Sequence, residues 1–242
     1  MKLLTPISIL LVALTTLSAS PSTDKIIAAA RATVGTEEAL DGLVTLQYKG
    51  KVIPANPKMP EASLVIIARK PTSQRLEVRV GDLVESTIVR GIFGAVIRSN
   101  ENPASTQVPD ARPLGEKELE RVKYNTRQSF SFFQPDYKSG ETVEHAGIEQ
   151  HRGVRCHKLI YTHPKGMQMT RYFSVSDDTL VASVTDTGTE SVELEHQVIN
   201  GIKFPSKVEY YDSQKKLHTI EMSQIEANKP LPVGIFDIPD TK

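Results

Sequence analysis

The segment EHAGIEQHRGVRCHKLIYTHPKG, Glu144 to Gly166, carries His145, His151, His157 and His163 at intervals of six residues, with the only cysteine of the chain, Cys156, among them. The spacing invites a metal site or a Cys–His nucleophile. Read as backbone, Arg152-Gly153 is a turn and VRCHKLIYT, Val154 to Thr162, is an extended strand. Extended chain rises ~3.3 Å per residue, so His151 and His163 stand roughly 40 Å apart. Zinc ligands lie about 2 Å from the ion. At most two of the four histidines can meet, across neighbouring strands, and two ligands do not make a site. Cys156 and His157 are adjacent on a strand and point to opposite faces. A buried core thiol is the expectation for Cys156.

The same period of two runs outward in both directions. VTLQY (Val44 to Tyr48), RLEVRV (Arg75 to Val80), MQMTRYF (Met167 to Phe173), Leu180 to Val184, VELEHQV (Val192 to Val198) and KVEYY (Lys207 to Tyr211) all alternate. In VELEHQV the alternation sets Val192, Leu194, His196 and Val198 on one side. Turn signals separate the runs at Lys49-Gly50, Gly81-Asp82, Arg90-Gly91, Pro164-Lys165-Gly166, Asp177-Asp178, Asn200-Gly201 and Asp212-Ser213. Alternating strands joined by short turns are antiparallel, with one face buried and one wet. Two segments differ. Ser22-Thr23-Asp24 is an N-cap cluster, followed by Ile26, Ile27, Ala30 and Val34 at helical spacing up to Gly35. PLGEKELERVKYNTRQS, Pro113 to Ser129, forms a second helix after the polar, Pro-rich loop Ser99 to Pro113. The fold class predicted is α+β: a long antiparallel meander curved into an open half β-barrel, covered by a short N-terminal helix and a mid-chain helix.

Met1-Lys2 precedes an apolar run, Leu3 to Leu17, and small residues up to Ser20. This has the length of a signal peptide and is too short to favour a membrane span. The expected organisation is a signal peptide over residues 1–20 and one domain over 21–242, periplasmic or secreted. Without Lys2 the domain has 28 basic and 29 acidic residues, a net charge of −1. A nucleic-acid partner calls for a basic stripe and is not expected. The hydrolase elbow, the zinc-protease helix motif and a phosphate loop are absent from the sequence. His196 and His218 sit among apolar residues, at the rim of a core or inside a ligand cavity.

Several stretches carry a resemblance: IIARKPTSQRLEV (Ile66 to Val78), STIVRGIFGAVI (Ser86 to Ile97), GIEQHRGVRCHKLIYT (Gly147 to Thr162), RYFSVSDDTLVASV (Arg171 to Val184), NGIKFPSKVEYY (Asn200 to Tyr211) and TIEMSQIEANKPLPVGIFDIP (Thr219 to Pro239). In order and spacing they resemble the periplasmic lipoprotein carriers of the LolA/LolB type and their relatives, the outer-membrane lipoprotein-sorting proteins. Lys70-Pro71 stands where the carriers have an arginine–proline pair, and the chain has no tryptophan. The resemblance implies an open barrel around helices with an apolar cavity for acyl chains. It implies a monomeric, non-enzymatic carrier without a cofactor. Its ligand is a lipid or an acylated protein, with an envelope partner and transient membrane contact. The lining expected is Leu64, Ile66, Leu76, Val78, Val80, Phe93, Met167, Met169 and Phe173. The alternative is a periplasmic sensory or protein-interaction module using the Asn100 to Pro113 loop.

Overall fold

A computed structural model describes residues 21–239; the signal peptide expected over residues 1–20 lies outside the described residues. Among the described residues two short helices come first, α1 (Thr23–Ala32) and α2 (Glu37–Asp41). Six strands follow: β1 (Thr45–Pro54), β2 (Ala62–Arg69), β3 (Ser73–Val80), β4 (Leu83–Arg90), β5 (Phe93–Asn100) and β6 (Asp110–Pro113). Helix α3 (Glu116–Ser131) intervenes. Seven more strands complete the sheet: β7 (Thr142–His151), β8 (Val154–Thr162), β9 (Gln168–Ser174), β10 (Leu180–Thr185), β11 (Thr189–Ile199), β12 (Ile202–Asp212) and β13 (Lys215–Ala227).

The 13 strands form one antiparallel sheet in the order β6-β5-β4-β3-β2-β1-β13-β12-β11-β10-β9-β8-β7. Two meanders are zipped together by the long-range pairing of β1 with β13. The free edges, β6 and β7, flank α3 in the chain, so the chain leaves one edge, crosses as a helix and returns at the other. Two contacts show how far the sheet curves. Thr126 Oγ1 lies 2.7 Å from Gln74 Oε1 on β3, and Gln128, two residues on, accepts at 2.8 Å from Arg171 Nη2 on β9. Seven strand spacings separate β3 from β9, roughly 34 Å on a flat sheet. One helix, about 10 Å across, can touch both only if the sheet wraps around it.

On the concave face, Leu46, Ala68, Ile202, Phe204, Ile225 and Ala227 pack against Leu40, Leu43 and Phe130. Further round, Ile26, Ile27 and Ala30 of α1 cover Leu159, Tyr161 and Phe173. Each fully buried Leu, Ile or Phe contributes about 1.5–3 kcal/mol. Arg31, buried in the last turn of α1, donates Nη1 to Ser131 O and Phe132 O at 2.7 and 3.1 Å. These are carbonyls at the C-terminus of α3, where a cation suits the helix dipole. Glu37 engages the remaining guanidinium edge. The convex face has clusters of its own. Cys156, Tyr172 and Ala182 form one. The C-terminal tail lays Phe236 over Ile67 and Ile88 to make another.

Three local expectations change. Lys49-Gly50 is not a turn: β1 runs through it, and the register to β13 shifts there. The polar loop before α3 contains the short edge strand β6. Helix α2 was not anticipated; Thr36 caps it by accepting from the Ala39 amide.

Candidate ligand site on the concave face

The helices cover only part of the concavity. Cross-strand register places Tyr48, Ile66 and Leu76 in one row across β1, β2 and β3. Leu64 and Val78 form the next row. Leu64 is buried, whereas Ile66, Leu76 and Val78 remain half-buried. Val80 is 38% exposed and Leu83, its partner on β4, 58%. Single exposed apolar side chains are ordinary; a contiguous strip on a concave wall is the feature of a binding surface.

Two clefts lie on this face. The first, about 480 Å³, is lined by Val78, Val80, Leu83 and Val84 together with Glu85, Arg98, Ser99 and Gln107. Its volume is within the ~300–1,000 Å³ typical of small-molecule sites. The second, about 270 Å³, lies where the C-terminal end of α3 meets β9 to β12. Its apolar wall is Tyr48, Phe132, Phe133, Met169, Leu180 and Phe204, and its polar groups include Gln128, Arg171, Ser183, Ser191 and Glu193. The row Tyr48–Ile66–Leu76 leads from the second cleft toward the first. Burial, then the negative charge of Glu193, pushes the phenols of Tyr48 and Tyr210 up.

The expected lining residues separate into groups. Leu64, Ile66, Leu76, Val78 and Val80 share the concave face of β2 and β3, and the last two line the larger cleft. Met169 lines the smaller one. Met167 borders a polar groove with Glu116, Arg121 and Asp186. Phe173 is fully buried beneath α1. Phe93 is 66% exposed at the β4–β5 turn, beside Phe236 and Ile238 of the tail. The structure therefore does not bring Phe93, Met167 or Phe173 into either concave cleft. Arg171, Tyr48 and Phe204 belong to the site and were not singled out in the sequence. One signal was available: Arg171 has the parity of Met167, Met169 and Phe173, a cation on the apolar side of its strand.

The histidines disperse as strand geometry requires. His145 and His157 meet across β7 and β8, with Nε2 and Nδ1 3.2 Å apart. His151 lies 2.6 Å from Glu190 and stacks on Tyr172. His163 packs against Tyr124, and His218 stacks on Tyr210. His196 lies 3.0 Å from Glu193. Among the described residues no three His, Cys, Asp or Glu side chains are grouped to hold a metal ion. Cys156 is fully buried, and burial pushes its thiol pKa up.

No protein-family model and no curated protein matches the sequence. Solved structures do match in shape. A DUF1329 family protein from Desulfovibrio piger superposes with a TM-score of 0.57 at 12% identity, over 88% of this chain and 96% of that one. A LolA superfamily protein from Nitrosomonas europaea gives 0.57 at 13%, over 90% and 98%. A proposed outer-membrane lipoprotein-sorting protein domain from Vibrio parahaemolyticus gives 0.53 at 9%, over 87% and 94%. Identities this low speak for architecture alone, and that architecture is the LolA-like fold: an open antiparallel sheet wrapped around its helices.

Proposed function

We propose that the protein is an exported, non-enzymatic carrier that shields a lipid, or the acyl chains of a lipoprotein, on the concave face of its half-barrel. The observation that carries this reading is the apolar strip Ile66, Leu76, Val78, Val80 and Leu83, half-buried at one end and exposed at the other, where it lines a cleft of about 480 Å³. Covering such a strip with an acyl chain gains ~25 cal/mol per Å² of apolar surface removed from water. The LolA-like fold is consistent with envelope lipoprotein sorting, with residues 21–242 acting as one domain after the leader is removed. A partner that delivers or receives the cargo, and brief contact with a membrane, belong to the same reading.

The test is binding of a fluorescent fatty acid to the purified mature protein. Val78→Glu places a carboxylate in the larger cleft, where leaving it unpaired is costly, and should abolish binding. Val198→Glu, at a position 70% exposed on the sheet, should bind like wild type. The carrier reading fails if wild type takes up no apolar probe, or if folded Val78→Glu binds as tightly as wild type.

A further inference from the structure

Arg171 is out of place in an apolar concavity. It is 4% exposed, on the concave face of β9, and it lines the smaller cleft. Its guanidinium lies between two rings, with the carbon 4.6 Å from the centroid of Tyr161 and 5.2 Å from that of Phe133. Nη2 donates to Gln128 Oε1, a neutral acceptor. Nε and Nη1 donate to no acceptor among the described residues. The nearby acid, Glu141, is held away: its Oε1 accepts from Gln128 Nε2 at 3.2 Å and its Oε2 from the Asp136 amide at 2.7 Å. Gln128 thus stands between the two charges. Glu193, the carboxylate that lines the cleft, is engaged by His196.

A guanidinium stays cationic inside proteins, and a buried cation without an anionic partner is costly. Ring faces offset part of that cost, and so does one amide oxygen. A carboxylate or phosphate offsets more, because the guanidinium fork matches two of its oxygens with paired, charge-assisted hydrogen bonds. The apolar wall beside it, Phe132, Phe133, Met169, Leu180 and Phe204, suits the chain attached to such a headgroup.

We propose that the smaller cleft holds the anionic headgroup of an acyl amphiphile, a carboxylate or a phosphate monoester, on Arg171, in place of the amide oxygen of Gln128. This deepens the carrier reading and rests on it: the cargo is a free acidic lipid, selected by charge as well as by chain.

The experiment is displacement of a neutral apolar dye from the full mature protein by three oleoyl compounds: oleate, oleoyl lysophosphatidate and methyl oleate. At least one of the two anions should compete roughly tenfold or more tightly than the ester, the scale of one charge-assisted hydrogen bond. Preference for oleate identifies a carboxylate ligand; preference for lysophosphatidate identifies a phosphate. Arg171→Gln should erase the preference, and Arg171→Lys should restore part of it. The wild-type comparison stands even if a variant misfolds. Equal competition by all three compounds overturns the anionic-site proposal and leaves the carrier reading intact. Failure of all three to displace the dye, or of the dye to bind, overturns both.

Discussion

Gly50 offers a sharp test of how the two meanders are joined. It sits in the middle of β1, where the register to β13 shifts. A Cβ built there would lie 2.2 Å from Glu221 O and 2.9 Å from Met222 Cα. Both contacts are backbone atoms of the partner strand, so no side chain can rotate away. Gly50→Ala must push β13 outward and stretch ladder hydrogen bonds beside the bulge. Overpacking costs about 1–3 kcal/mol and each weakened hydrogen bond about 1 kcal/mol, so the expected loss is about 3 kcal/mol. For a domain of this size each kcal/mol moves Tm by about 2–4 °C, which gives a drop of about 6–12 °C. The assay is urea and thermal unfolding followed by far-ultraviolet circular dichroism, since the chain has no tryptophan. Gly81→Ala is the internal comparison. Gly81 has φ +57° and nothing within 4 Å of a new Cβ, so it loses only the ~1–2 kcal/mol of left-handed backbone. If Gly50→Ala is within about 0.5 kcal/mol of wild type, or milder than Gly81→Ala, the close approach of β1 to β13 is wrong.

Burial holds the imidazoles of His157, His163 and His218 below their ordinary pKa, with His145 adding to the effect on His157. The unfolded chain therefore binds protons first; this part of the stability is complete above about pH 6.5 and is lost as pH falls below it. A urea midpoint that rises between pH 7.5 and 5.5 would contradict this. Phe236 is buried against Ile67 and Ile88 and is the anchor of the C-terminal tail. Phe236→Ala should cost about 3 kcal/mol and speed proteolysis near Lys229; a tail that resists cleavage as well as wild type does would mean that other contacts hold it.

Much of the architecture was legible locally, because a period of two and a turn pair are properties of adjacent residues. VRCHKLIYT is β8 with the boundaries its sequence suggests, and the Ser22 cluster starts α1. The same alternation spread the four histidines along extended chain, and the structure brings His145 and His157 together across β7 and β8. Alternation also put Leu64, Ile66, Leu76, Val78 and Val80 on shared faces, which cross-strand register then joined into adjoining rows.

Parity names two faces of a strand but not which one is concave; the helices decide that, through contacts such as Thr126 with Gln74 and Gln128 with Arg171. A Lys-Gly pair looks alike at a turn and at a bulge, and only the backbone of β13 against Gly50 tells them apart. The pairing of β1 with β13, the tail over Ile67 and Ile88, and the isolation of Arg171 from Glu141 all join residues distant in the chain. By itself, the sequence determined most of the strands and turns and the apolar character of the faces, since these depend on neighbours a few residues apart. Closure of the sheet, the exposed end of the apolar strip and the unpaired guanidinium were decided by tertiary structure, because each depends on which remote surfaces meet and which are left open.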